Sequence, residues 1–284
     1  MTIADLRKKY HNRACEEIIR IQPGNPAYPN FADKSSKASV QIAWGIVKRL
    51  GFSIPDENLK GQTTGGRFEA ITCAFLEASF SKLHHLRPGK WRYGTGIPIS
   101  DFDQYQHLAD LEALIKRSDE LSAALGKEYI ITPDIIVGRY SVSDDEININ
   151  ERVVLASDEI ALLTPFRNFD AESSRYFLHA SISCKWTLRS DRGQNARTEA
   201  LNLIRHRKGH LPHIVAVTAE PLPTRLASLA IGTGDLDCVY HFALNELKDA
   251  VIETNNDDQY DMLETLIGGR RLRDISDLPF DLAI

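Results

Sequence analysis

Cysteine is scarce. The 284 residues hold four, Cys15, Cys73, Cys184 and Cys238, and no two of them form a C-x-x-C pair. Such spacing supports neither a disulfide framework nor a zinc site, and the expected compartment is the reducing cytoplasm. Long apolar runs are missing too. None approaches the ~20 residues of a membrane-spanning helix, so no membrane partner is expected. The first twenty residues, MTIADLRKKYHNRACEEIIR, carry acids early and have no apolar stretch, so no secretion signal is expected. There is no G-x-x-x-x-G-K-[ST] loop and no H-E-x-x-H pair. Gly232-Thr233-Gly234 lacks the third glycine of a dinucleotide loop. Internal repeats and low-complexity segments are also absent. What is present is ordinary for a soluble globular protein: 43% hydrophobic and 26% charged residues.

The patterning predicts an α/β chain with a helical N-terminal portion. Helices are expected over 1–20, 38–51 with Gly51 as the stop, 66–86 and 105–125. The Pro- and Gly-rich stretches 21–37 and 87–104 read as loops. From residue 126 the character changes. Tyr129–Val137 is a short β-rich run with Asp134 in its middle. Residues 177–188 alternate, with Leu178, Ala180, Ile182, Cys184 and Trp186 on one face and His179, Ser181, Ser183 and Lys185 on the other. A helix is expected at 194–207, buried strands at 213–219 and 237–243, and helices at 245–253 and 258–267. No linker forces a division. The chain reads as a single domain: a helical portion over 1–125, a sheet core over 126–245 and C-terminal helices over 246–284.

A net charge of −5 taken alone argues against a polyanionic partner. The distribution argues otherwise. Between Lys185 and Lys208 stand seven bases and two acids, a local +5 within an acidic chain. A solvated helix face would give the same run; the order of residues inside it is more telling.

Asp134 follows Pro133 in one predicted strand, and Lys185 stands on the polar face of another, 51 residues later. A buried acid and a buried lysine each need partners, and two neighbouring strands could supply them to each other. An aspartate is a hard oxygen ligand for Mg²⁺. A lysine beside it can orient water and balance phosphate charge. This is the logic of a PD-(D/E)-x-K nuclease site. The usual second acid, two residues before the lysine, is here Ser183. Glu199, fourteen residues after Lys185 on the following helix, can replace it, and Glu69 on an N-terminal helix is a further candidate. A turn aspartate and a solvated strand lysine would account for the same pair.

Directly after the lysine comes Trp186-Thr187-Leu188-Arg189-Ser190-Asp191-Arg192. Arginine pairs bidentately with guanine in the major groove and aspartate accepts from cytosine. Arg-x-Asp-Arg can therefore read adjacent G·C pairs. A surface turn with an internal salt bridge is the alternative.

The order S-C-K-W-T-x-R-S-D-R followed by N-A-R-x-E resembles the NgoMIV-like type II restriction endonucleases, the CCGG-core family of the PD-(D/E)XK superfamily. The resemblance extends over ITPDIIV, LHASISCKWT, LPHIVAVTAEP, GTGDLDCVYHFAL and RDISDLPFDLA, and more loosely over GQTTGGRFEAI. It implies a restriction-endonuclease-like fold, with a central mixed β-sheet flanked by α-helices. It implies Mg²⁺-dependent hydrolysis of double-stranded DNA, with two metal ions per site and a displaced acid as part of the pattern. Carried over position by position, Asp134, Lys185 and Glu199 form the catalytic core and Glu69 is an outer carboxylate. Asp134, Glu199 and the Cys184 carbonyl lie at the metals, with Ser183 close by. Arg189, Ser190, Asp191 and Arg192 form the segment that reads the CCGG core, Arg225 reads the outer G·C pair, and Gln62 and Ser35 make minor-groove and loop contacts. The implied target is GCCGGC cut after the first G. The implied assembly is a homotetramer, with a companion DNA methyltransferase acting on the same site. Two rivals share the fold: a repair nuclease without defined sequence, and a DNA-binding regulator with no cleavage.

Overall fold

The computed structural model describes all residues except 56–60, 118, 119, 121, 122, 124–130, 156, 169–175, 189 and 233, and the backbone but not the side chains of 61, 62 and 190–192. Six strands carry the fold: β1 (Trp91–Thr95), β2 (Ile135–Tyr140), β3 (Tyr176–Lys185), β4 (His213–Thr218), β5 (Cys238–His241) and β6 (Leu272–Asp274). They form one mixed sheet in the order β6-β5-β4-β3-β2-β1. Among the described residues the longer helices beside them are α1 (Ile3–Glu17), α2 (Lys37–Leu50), α3 (Gly61–Phe80), α4 (Gln106–Ile115), α5 (Ser190–His206), α6 (Pro223–Ala230), α7 (Leu244–Glu253) and α8 (Asp257–Gly268). The chain is thus α/β, with a mixed sheet and flanking helices, as expected. Among the described residues no helix is long and apolar enough to cross a membrane.

Two compact units are present. The first comprises Met1–Leu86, Ile182–Leu201 and Ile214–Ile284; the second comprises Arg87–Ser181 and Asn202–His213. In the first unit β4, β5 and β6 run parallel, with Val215 opposite Cys238 and Leu272 opposite Val239. Parallel neighbours need long crossovers: α6 bridges β4 to β5, and α7 and α8 bridge β5 to β6. Strand β4 is apolar almost throughout and buried over Ile214–Thr218, the signature of a strand covered on both faces. Helix α1 starts with a reciprocal capping box between Thr2 and Asp5. It is fixed at its middle by Arg7, whose guanidinium forks onto Asp274 (2.9 and 2.7 Å) and Glu246 (2.9 and 2.6 Å). One arginine thereby ties α1 to β6 and α7. Helix α2 ends at Gly51 in the left-handed region (φ 69°), where glycine carries no Cβ penalty. At Gly45 a Cβ would lie 2.6 Å from that of Ala250, so α2 and α7 approach more closely than any larger residue allows.

In the second unit β1 pairs antiparallel with β2, Trp91 facing Arg139 and Thr95 facing Ile135. The Gln104 side chain closes a two-bond ring on the β3 backbone. Its Nε2 donates to Leu178 O and its Oε1 accepts from Leu178 N, both at 2.9 Å. The stretch 87–104, read from sequence as loop, holds β1. Its flanking glycines and prolines hide a five-residue strand whose pairing comes from distant β2. Helix α6 and strand β6 were likewise not anticipated. Asp134 does not lie mid-strand: it occupies a bend immediately ahead of β2.

Candidate functional site

Strand β3 ends at Lys185, and what holds that end is aromatic. The next residue, Trp186, is buried and meets Phe68 edge-on at 5.0 Å between ring centroids, Phe31 at 5.5 Å and Phe242 at 5.7 Å. Edge-to-face pairs at these distances add to the burial of large rings. The cluster joins α3, the segment before α2, and the residue after β5 to one point of the chain. Lys185 is half-buried at this anchored end, with Ser183 and Cys184 buried just before it.

Glu69 follows Phe68 on α3 and is half-buried. Its Oε1 lies back over the preceding turn, 4.0 Å from where a Cβ on Gly65 would stand, as helical side-chain directions require. Glu199 is half-buried on α5, the helix that begins five residues after Lys185. Glu69, Ser183, Cys184, Lys185 and Glu199 thus belong to the first unit, and Asp134 belongs to the second, at the start of β2. Each of these six is engaged by a partner in the folded chain. Among the described residues no three His, Cys, Asp or Glu side chains gather into a closed metal cage. Mg²⁺ does not need one. It is held by one or two carboxylates, keeps several waters and takes its remaining oxygens from substrate phosphate. Asp134, Glu199 and Glu69 are hard oxygen donors of that kind.

The base-reading candidates divide. Arg189 lies outside the described residues, as do the side chains of Gln62, Ser190, Asp191 and Arg192. Ser35 and Arg225 are described and belong to one network. Ser35 donates to Asp33 Oδ1 from both its hydroxyl (2.6 Å) and its backbone N–H (3.0 Å). Arg225 Nη2 donates to Asp33 Oδ2. The Ser35 hydroxyl and N–H, with Arg225 behind them, hold the Asp33 carboxyl down at about 2.

Glu220 completes the network, and sequence reasoning missed it. Only 1% exposed, it accepts the Leu188 N–H at Oε2 (2.9 Å) and the Leu222 N–H at Oε1 (3.3 Å), and Arg225 Nη1 stands 3.9 Å from Oε1. Burial pushes its carboxyl up to about 7, against the pull of the Leu188 N–H and the Arg225 charge. The available signal was an acid closing the apolar run H-I-V-A-V-T-A-E-P, where the strand pattern alone asks for none. Asp33, the partner of both Ser35 and Arg225, was also passed over.

The family model described as NgoMIV restriction enzyme matches residues 10–284. The type II restriction enzyme NgoMIV of Neisseria gonorrhoeae is 46% identical over 283 residues, covering 98% of this chain and 97% of the relative. Among solved structures, a complex of the restriction endonuclease PspGI with substrate DNA aligns with 99% of this chain and 92% of its own, at 15% identity and a TM-score of 0.32.

Proposed function

The chain belongs to the NgoMIV restriction enzyme family and is a type II site-specific deoxyribonuclease; on that premise we propose that it cuts double-stranded DNA at GCCGGC after the first G, with Mg²⁺, leaving 5′ CCGG ends. The observation that carries the reading is the junction at Lys185. A strand bearing the catalytic lysine leads, past the buried Trp186, into the sequence Arg189-Ser190-Asp191-Arg192, whose last three residues open the helix of Glu199. Chemistry and base reading share one short piece of backbone, so a correct base fit and a correct phosphate position go together.

In this reading Asp134 and Glu199, with the Cys184 carbonyl, hold the metal ions, and Glu69 is an outer carboxylate. Bound Mg²⁺ supplies Lewis acidity and neutralises phosphate charge. Lys185 donates hydrogen bonds to the attacking water and to a phosphate oxygen, aligning the water with phosphorus opposite the leaving 3′ oxygen. Its charge opposes the negative charge that builds up on phosphate. Ser183 lies near the metals on the same face of β3. Arg189, Asp191 and Arg192, in the segment that includes Ser190, read the CCGG core, Arg225 reads the outer G·C pair, and Gln62 and Ser35 make the lesser contacts.

A palindromic site requires two copies related by a two-fold axis, each reading one half. We extend this to a homotetramer on two DNA sites. The second unit offers an apolar surface for such assembly. Ile149 (78% exposed) and Leu163 (98%) stand in solvent with Val153, Ile160 and Leu162. The setting is the cytoplasm, where a companion methyltransferase modifies the same site in host DNA.

The test is a digest of a plasmid carrying two GCCGGC sites, with Mg²⁺ or with EDTA, followed by sequencing of the fragment ends. Mg²⁺-dependent ends confined to GCCGGC are expected. Cuts without defined sequence would favour a repair nuclease, and specific binding without cuts a regulator.

A further inference from the structure

We infer that Glu220 is a positioning residue for sequence recognition, setting the base-reading segment after β3 and the helix that carries Arg225 in fixed relation to one another. The inference rests on the DNA-reading roles proposed above. Its grounds are geometric. The two carboxylate oxygens go to two different pieces of chain. Oε2 takes the N–H of Leu188, the last described residue before Arg189. Oε1 takes the N–H of Leu222, the N-cap of α6. Between Glu220 and Thr224 stand Pro221, Leu222 and Pro223, so Leu222 has the only backbone N–H of that stretch. Gripping it fixes the entry to the helix.

Arg225 lies in the first turn of that helix. Its backbone N–H bonds Leu222 O at 2.9 Å, and its guanidinium faces both Glu220 and Asp33. Glu220 itself is held from behind, its N–H donating to Thr218 Oγ1 at 3.2 Å. A buried carboxyl is costly, and an apolar side chain would fill the space without that cost. What the carboxyl adds is direction: two N–H groups and one guanidinium are aimed by a single group that cannot move.

The prediction distinguishes this role from simple support of the fold. Glu220→Gln replaces one acceptor oxygen by a donor and removes the charge that faces Arg225. Discrimination between GCCGGC and sites altered at the outer pair should fall by about tenfold or more, the loss expected for one buried charged acceptor. Discrimination against sites altered at a core pair should fall with it, because the same group holds the N–H of Leu188, next in sequence to Arg189, and the N-cap of the helix of Arg225. In an Arg225→Ala background, Glu220→Gln should change core discrimination only.

The measurement is kcat/KM on the three oligonucleotide duplexes for wild type and variants, with melting temperatures alongside. A uniform fall on all three duplexes, or a lowered melting temperature with wild-type ratios, overturns the inference. Should the Gln variant melt below the assay temperature, Glu220→Asp keeps charge and both acceptors but withdraws them by one methylene. A changed ratio there supports the inference and an unchanged ratio overturns it. The wild-type ratios report separately on the target site. If wild type prefers another sequence, the same comparison is made on that sequence.

Discussion

The ring of Phe68 meets that of Trp186 edge-on, 5.0 Å between centroids and 65° between planes. Each ring is one residue from a candidate catalytic side chain, Glu69 on α3 and Lys185 on β3. The contact joins two segments more than a hundred residues apart in sequence, and it does so in the interior, where both rings are nearly inaccessible. The two candidate side chains are half-buried, and each is anchored by a neighbouring ring that is buried.

Phe68→Ala should therefore cost about 3–5 kcal/mol of stability, as removal of a fully buried ring does. Phe68→Leu, closer in volume, should cost less than about 1.5 kcal/mol. Urea unfolding measures both. Cleavage by the Leu variant, assayed well below its melting temperature, should fall in kcat more than in KM, because the Phe68–Trp186 pair adjoins Glu69 and Lys185, whereas Gln62, the DNA contact proposed on α3, is a lesser one.

Asp134→Ala should abolish Mg²⁺-dependent cleavage and leave sequence-specific binding largely intact, as should Lys185→Ala. A gel-shift titration on GCCGGC duplex beside a digest separates the two functions. Loss of folding, or full cleavage by either variant, would falsify the assignment. Glu199→Gln should behave like Asp134→Ala if Glu199 replaces the acid absent at Ser183.

The alternation over 177–188 and the apolar run 213–219 were legible as strands, and β3 and β4 follow them closely, but the polar face of β3 (His179, Ser181, Ser183) is buried as well as the apolar one. Gly51 announced the end of α2 because only a left-handed residue closes that helix. Strand β1 was not legible: Trp91–Thr95 is an edge strand stabilised by its register with Ile135–Arg139, forty residues away. Asp134 looked mid-strand because Ile130 and Ile131 continue the apolar run, but the strand begins at Ile135 and Pro133 is unsuited to its interior. Lys185 and Arg189 could be singled out because their side chains suit DNA chemistry, and Arg225 only through the family resemblance. Glu220 could not, because its importance comes from the two N–H groups it meets.

Acid should destabilise the fold through His241. This ring is fully buried, its Nδ1 accepting the Ala243 N–H at 3.1 Å, so the neutral Nε2–H form is the one that fits. Burial pushes its pKa down to about 4, against the attraction of Asp274. The unfolded chain takes up the proton near the ordinary value, so stability present above about pH 6.5 is lost as pH falls toward 4. The gap corresponds to about 3 kcal/mol. Glu220 has the opposite sign. With its carboxyl pushed up to about 7, stability present below about pH 4.5 declines as pH rises through 7. Between those values the two slopes oppose. Urea unfolding of His241→Asn, whose amide oxygen can replace Nδ1, should show the acid-side loss much reduced; an unaltered loss would assign it elsewhere.

Arg225 provides the sharpest test of how the outer base pair is read. Its guanidinium is not idle: it pairs with Asp33, which also holds both donors of Ser35, and it faces Glu220. An arginine already fixed in place loses less side-chain entropy when it meets guanine. Arg225→Ala should remove about 1–3 kcal/mol of discrimination at the outer pair, the worth of one bidentate contact. Digestion would then spread to CCGG-containing sites with other flanks while the CCGG requirement persists. Arg189→Ala should do the reverse, relaxing a core guanine and leaving the flank preference in place. Sequencing the fragment ends from both variants on one plasmid decides between them. If the two variants relaxed the same position, the assignment of separate core and flank readers would not stand.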